Sequence, residues 1–358
     1  MKILRLSDED SKQHGLIIQG LSFAYELESE FEFTSDPAQA DVIVLDNAYG
    51  DSDIISRQLS YLQSVYSGQL IVIDSLHHCD DFFDVSLTKE PFLSLTNRVV
   101  VNHQDMSQAD NGICYDFCFN YTKAAYTDWN RLDLTNKRLS NGCGQEFFIL
   151  TDIQRTDNPK KFLSPNRIYY DIPDTYRIAA RIELKNLLQS KDGYLSDPFR
   201  GVILEAEVTT NEYYNSHLNS GNSGNLIPIA NRFYNDSFAS IYVESITQNP
   251  TRLVTEKTFT PLIKGHFIIP FAYSGFINDL KTVYNFQMPT WIDYSYDTIQ
   301  DHNERKAAWL ISVQNYLNYS TANLFNYYYQ DKGILDHNRS VFYTRPYDSL
   351  FTKLTPFL

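Results

Sequence analysis

Ala40-Asp-Val-Ile-Val-Leu-Asp46 and Gln69-Leu-Ile-Val-Ile-Asp74 are two short apolar runs that each end in aspartate, with helical periodicity from Ile54 to Tyr66 between them. Strand, helix and strand in that order read as a parallel unit. A strand covered by helices on both faces has no solvent side, so it reads as a continuous apolar run without alternation. The fold class is α/β. Ligands of such sheets gather outside the carboxyl ends of the strands. Here those ends carry Asp46 and the titratable cluster Asp74-Ser-Leu-His-His-Cys-Asp-Asp81.

Working outward, Lys2 to Leu6 and Arg98 to Asn102 read as further strands, and Gly15 to Ser29 as an amphipathic helix. Another apolar run begins at Phe147, and the charged, Pro-containing stretch Asp152 to Lys161 reads as a linker. A second α/β unit follows, with a helix over Asp174 to Ser190, a polar loop at Thr210 to Gly224, a strand near Ala239 to Glu244, a strand at Phe267 to Phe271 and a helix at Ser274 to Val283. The expected domains are 1–155 and 156–339, with an aromatic tail over 340–358 that packs back onto the body. A chain of 358 residues exceeds one ordinary core, and two domains imply a cleft between them.

A net charge of -14 opposes tight nucleic-acid binding, which needs a basic face to displace counterions from phosphates. No apolar run approaches the roughly 18 residues that span a bilayer, so no transmembrane segment is expected. The N-terminus carries charge inside its short apolar stretch and reads as a first strand, not a signal peptide. The expected compartment is cytoplasmic. Cys79, Cys114, Cys118 and Cys143 form no CxxC pair, and Cys114 and Cys118, four apart, have no paired histidines nearby at ligand spacing, so no metal site is expected. The sequons at Asn120, Asn235, Asn318 and Asn338 read as chance occurrences in an Asn- and Ser-rich chain.

The segment Leu253-Val-Thr-Glu-Lys-Thr-Phe-Thr-Pro-Leu-Ile-Lys-Gly265 precedes the run His266-Phe-Ile-Ile-Pro-Phe271. As local structure, Thr255 caps a helix and Glu256 favours its dipole. As chemistry, the same residues offer a carboxylate, an ammonium and free helix N–H groups to a small anion such as a nucleotide diphosphate-sugar. Both readings stand together.

Four segments in order resemble one group of glycosyltransferases from viruses and bacteria. They are Lys160-Lys-Phe-Leu-Ser-Pro-Asn-Arg167 with Arg177 and Arg181-Ile-Glu-Leu, then Phe238-Ala-Ser-Ile-Tyr-Val-Glu-Ser245, then Val254 to His266, then Trp291-Ile-Asp-Tyr-Ser-Tyr-Asp-Thr-Ile-Gln-Asp301 with Arg305. The arrangement is more distantly similar to that of α1,3-fucosyltransferases. The resemblance implies a GT-B architecture of two facing Rossmann-like domains with parallel sheets, the first on the acceptor side and the second binding the nucleotide sugar. It implies that Glu256 holds ribose hydroxyls, Lys257 meets the diphosphate, Glu244 lines the same pocket and Arg177 or Arg181 neutralises the leaving phosphate. Thr255 belongs to the same motif. Thr260 stands where the family has Lys and Tyr294 where it has Glu, and neither is given a role. The implied compartment is the cytoplasm of a bacterium or of an infected host cell.

The implied reaction moves a sugar from a GDP- or UDP-linked donor to a glycan or other small hydroxyl acceptor. No cofactor is expected. No obvious Asp-x-Asp manganese motif is read at a strand end, and Glu244 and Glu256 do not stand at Glu-x7-Glu spacing, which favours metal-independent inversion. Asp74 is the first candidate for the base, with His77, His78 and Asp46 behind it, because a carboxylate or imidazole at a strand end can take the acceptor proton. The plain alternatives are that these aspartates cap following helices and that the arginines lie on a solvated or salt-bridged helix face. Asp293, Tyr296, Asp297 and Arg305 read as a turn and helix start with Asp297 or Asp301 capping, and the aromatic band Tyr316 to Tyr329 as core packing. The competing function is a catalytically inactive carbohydrate-binding or structural protein of the same fold. A nucleotide-sugar oxidoreductase is disfavoured, since no G-x-G-x-x-G follows the first strand.

Overall fold

The structure is a computed structural model that describes residues 2–4, 32–34, 36, 39, 42–46, 69–74, 98–102, 112–114, 116, 118–120, 122–123, 155–165, 175–196, 203–205, 231–248, 253–349, 352–353 and 355–357. The helices expected at 15–29 and 54–66, the apolar run at 147–150, the loop at 210–224 and His77 and His78 lie outside these residues. The chain divides into two compact α/β units. One takes Met1–Ala124, Asn130–Asp133 and Tyr347–Leu358, and the other Ala125–Trp129 and Leu134–Pro346. No helix among the described residues is long and apolar enough to cross a membrane.

The sheet of the first unit contains β1 (Lys2–Leu4), β2 (Glu32–Thr34), β3 (Val42–Asp46), β4 (Gln69–Asp74), β5 (Arg98–Asn102) and β6 (Gly112–Cys114). Its order is β2-β1-β3-β4-β5-β6, with every neighbouring pair parallel. Asp46 pairs in register with Ile73, and Asp74 with Asn102. Both aspartates therefore end adjacent strands at the carboxyl edge. The C-terminal segment is tied into this unit through Asn120, whose amide donates to the Asp348 carbonyl at 2.6 Å and accepts from the Asp348 N–H at 2.8 Å. Both ends of this 2%-exposed amide are thus engaged at the first sequon.

The second unit contains β7 (Lys160–Ser164), α1 (Thr175–Leu188), β8 (Gly193–Ser196), β9 (Ile203–Glu205), α2 (Asn231–Asn235), β10 (Ser237–Val243), α3 (Glu256–Ile263), β11 (Phe267–Phe271) and α4 (Phe276–Thr282). A 3-10 turn (Ser295–Thr298) and the helices α5 (His302–Asn318), α6 (Thr321–Gln330) and α7 (Lys332–Thr344) follow. The sheet order is β11-β10-β7-β8-β9; the first four strands run parallel and β9 pairs antiparallel with β8. From β7 the chain builds outward to β8 on one side, then returns to place β10 on the other. The β7/β10 boundary is a topological switch point, where connections diverge and leave a crevice at the carboxyl edge.

Every residue of β10 and β11 is buried, which explains their unbroken apolar patterns. Pro270 fits within β11 because this strand lies at the sheet edge, where a missing N–H costs no ladder bond. That edge is covered by side chains of the fourth sequence motif. Tyr294 and Tyr296 donate their hydroxyls to the Ile268 and Pro270 carbonyls at 2.8 and 2.9 Å. Burial raises both phenol pKa values and keeps them as donors. Tyr294, where the resembling family has Glu, thus seals a strand edge.

The core of the unit joins Phe162, Phe238, Ile241, Phe271, Trp309 and Val313 with the inner face of α1. On α1 the buried stripe runs Arg177, Arg181, Leu184 and Leu188, at helical spacing. Asp297 and Asp301 both cap, on different helices. Asp301 accepts from the Glu304 N–H of α5 at 2.9 Å. Asp297 reaches back to the Ile277 and Asn278 N–H groups of α4 at 2.9 and 3.2 Å, because Gly275 at that N-cap has no side chain to do so.

Candidate functional site

The carboxyl end of β10 is the anchor of the candidate site. Beyond Val243 the strand passes into Glu244 and Ser245, and the Glu244 N–H closes the sheet on the Phe271 carbonyl at 2.8 Å. Glu244 is fully buried. Its Oε1 accepts the Thr255 N–H at 3.0 Å and the Thr258 hydroxyl at 2.8 Å. Its Oε2 accepts the Ser245 N–H at 2.8 Å and the Thr255 hydroxyl at 2.6 Å. A buried carboxylate costs little only when hydrogen-bonded on all sides, and these donors supply that. Expected to line the pocket, Glu244 instead sits beneath the start of α3 and fixes it.

Thr255 is the N-cap of α3 and accepts the Lys257 N–H at 3.3 Å. Glu256 and Lys257 then open the helix with side chains 17% and 27% exposed, paired at 3.1 Å. The Lys257 ammonium also donates to the Ser245 hydroxyl at 2.9 Å. Ser245 is therefore a hub. Its carbonyl accepts the Arg177 guanidinium at 3.3 Å, while Arg181 reaches the Val243 carbonyl at 3.5 Å. Arg177 and Arg181 are only 5% and 4% exposed, so the solvated-face reading of these residues does not hold.

The loop after β10 is held from a further direction. Arg305 is 1% exposed and donates to the carbonyls of Ala272 at 3.1 Å, Ile299 at 2.7 Å, Gln300 at 3.0 Å and Thr247 at 2.6 Å. A planar fork with donors along two edges can satisfy four carbonyls from one buried position. His302 Nε2 meets the Thr247 hydroxyl at 3.1 Å. The sequence motif containing Arg305 is thus structural, and it positions residues 244–247.

Two arginines, one lysine, the positive end of the α3 dipole and one partly exposed carboxylate meet at the carboxyl end of β10, beside the switch point. This set can bind an oxyanion together with a hydroxylated group. Of the residues expected from sequence, Thr255, Glu256, Lys257, Arg177 and Arg181 come together here. Asp46 and Asp74 end β3 and β4 in the first unit, and His77 lies outside the described residues. Sequence reasoning missed Ser245 and Thr258 as participants. The spacing of Thr255 and Thr258, one helical turn apart, was the available signal, because it puts both hydroxyls on one face.

Comparison of the chain with protein-family models, with curated proteins and with solved structures finds no match.

Proposed function

We propose that the chain is a glycosyltransferase that moves a sugar from a nucleoside-diphosphate donor to a glycan or other hydroxyl acceptor, by metal-independent inversion on a GT-B framework. The observation that carries this reading is the gathering of Arg177, Arg181, Lys257 and the N-terminus of α3 around residues 243–245 at the end of β10, at the carboxyl edge beside the β7/β10 switch point. A departing diphosphate needs positive charge placed before the reaction, so that no solvent reorganisation is required as negative charge develops. Lys257 and the helix N-terminus meet the diphosphate, and the arginines add delocalised charge suited to phosphate oxygens. Glu256 accepts ribose hydroxyls. The acceptor proton passes to a carboxylate or imidazole, with Asp74, His77 and Asp46 as candidates. The donor is GDP- or UDP-linked.

The test is a thermal-shift screen of the full chain with UDP-, GDP-, CMP- and dTDP-linked sugars, followed by calorimetry on Lys257→Ala and Glu256→Ala. A donor at about 100 times its Kd stabilises the native state by about 2.7 kcal/mol, and both variants are expected to lose the response while remaining folded. Unchanged nucleotide affinity in both variants overturns the site, and no response to any donor overturns the reading.

A further inference from the structure

A concave site, apart from the candidate donor site, lies at the opposite edge of the same sheet. It is a cavity of about 420 Å³ bordered by Trp291, Asp293, Asn315, Tyr316, Asn318 and Tyr319. The Trp291 ring lies 5.0 Å from that of Phe267, the first residue of β11, and the Tyr316 hydroxyl donates to the Lys161 carbonyl near the start of β7 at 2.5 Å. The cavity therefore sits at the amino edge, a strand length of about 16 Å from the carboxyl edge. Its volume is within the range of small-ligand pockets.

The walls are built. Trp291 is fixed by its indole N–H on the Asp331 carboxylate at 2.8 Å and by Tyr327 stacked on it at 4.3 Å. Tyr319 stands across it at 83°. On α5, Ser312, Asn315 and Asn318 recur every third residue and form one polar stripe facing these rings. Ser312 is used to hold the loop, donating to the Asp293 carbonyl at 2.6 Å. The exposed amides of Asn315 and Asn318 hydrogen-bond to no other described residue. Each carries two donors and an acceptor.

We propose that this cavity binds a neutral carbohydrate, one or two sugar rings deep, as a site separate from the candidate donor site. Among the described residues the lining holds no Lys, Arg or His, so it lacks the charge that phosphate or carboxylate ligands require. Tyr327 at 4.3 Å and Tyr316 at 6.1 Å are stacked on Trp291, so the ring surface open to the C–H face of a pyranose is that of the half-buried Tyr319, beside two amides and the Asp293 carboxylate, which exchange hydrogen bonds with hydroxyls. Tyr319 stands across both stacked rings, Trp291 at 83° and Tyr327 at 77°, and so makes a compact wall, unlike the groove that an extended proline-rich segment lies along. The inference rests on this cavity alone and is independent of the donor-site reading.

Saturation-transfer NMR on the full chain with maltotriose, cellotriose, chitotriose and mannotriose, each at roughly millimolar concentration, tests it. At least one sugar is expected to receive saturation at its ring C–H protons. Its affinity is expected to fall by roughly tenfold or more in Asn315→Ala/Asn318→Ala and in Tyr319→Ala, and to persist in Lys257→Ala. Circular dichroism reports whether each variant is folded, and the two variants back each other if one is not. No transfer to any of the four sugars overturns the proposal, as does equal affinity in both cavity variants. Loss in Lys257→Ala places the sugar at the carboxyl edge and also overturns it.

Discussion

Glu244 and Thr255 are joined twice: one carboxylate oxygen accepts the Thr255 N–H at 3.0 Å and the other its hydroxyl at 2.6 Å. This pairing locks the end of β10 to the first turn of α3. It also lets Thr255 cap its own helix while donating to the strand end, so Glu256 and Lys257 leave from a fixed point. The expected consequence is that Glu244→Gln destabilises the unit despite its near-identical shape. An amide presents N–H groups on one side, and either orientation sets them against a backbone N–H, of Ser245 or of Thr255. The loss is about 2–3 kcal/mol, read by urea unfolding. A change below about 0.5 kcal/mol, the range of neutral surface substitutions, shows that the four hydrogen bonds do not hold the helix start.

Arg305→Lys keeps the charge and loses the fork. One ammonium carries three donors, against the four carbonyls of Thr247, Ala272, Ile299 and Gln300 that the guanidinium now serves. The residue is 1% exposed, so the abandoned carbonyls find no water. A cost of about 2–4 kcal/mol is expected, with a melting transition lower by roughly 5–15 °C for a unit of this size. A wild-type melting curve for Arg305→Lys rules out a positioning role for this residue.

Gly193 opens β8 against the ring of Phe162. A Cβ at this position falls inside the van der Waals envelope of the ring atoms Cδ1, Cε1 and Cζ, and Phe162 is fully buried. The ring has nowhere to retreat in a packed core. Gly193→Ala is expected to cost about 1–3 kcal/mol or more, whereas the same substitution at the exposed helical Gly333, which has open space around it, is neutral or stabilising. Equal stabilities of the two variants contradict the packing at Phe162.

His266 supplies a pH dependence with a defined sign. It is fully buried, and desolvation first, then the nearby Arg155 charge, push its pKa well below 6.5. The Ser240 hydroxyl lies 3.0 Å from Nδ1 and the Tyr234 carbonyl 2.7 Å from Nε2, an arrangement suited to a neutral ring. The unfolded chain takes up the proton first. Stability is therefore fully present above about pH 6.5 and falls as pH drops below it, by up to about 1.4 kcal/mol per pH unit for one proton. Urea titrations at several values between pH 7.5 and 5 should show wild type losing stability faster than His266→Gln. Parallel profiles for the two chains refute the assignment.

Much of the strand framework was legible because burial on both faces leaves a plain mark. Gln69–Asp74, Arg98–Asn102 and Phe267–Phe271 have the bounds that their apolar runs suggest. The strand expected near Ala239 to Glu244 starts earlier, at Ser237, because Ser237 itself is buried and donates its hydroxyl to the Phe233 carbonyl at 2.5 Å. A serine reads as a loop residue until its partner is seen. The cap at Thr255 was legible for a different reason: the bond between its hydroxyl and the Lys257 N–H spans two residues and needs no distant partner.

The sequence by itself determined the α/β class, the strands that carry it and the helix start at Thr255-Glu-Lys257, since each depends on periodicity or on contacts a few residues long. Only the tertiary structure decided the strand order that makes β7/β10 a switch point, and which side chains turn inward there. Helical spacing puts Arg177 and Arg181 in line with Leu184 and Leu188, but does not say whether that line faces water or the end of β10. Likewise, Glu244 looked like a pocket residue until Thr255 and Thr258, eleven and fourteen positions away, proved to occupy its oxygens. Burial and hydrogen-bond saturation are properties of the folded surroundings, and those surroundings come from segments distant in the chain.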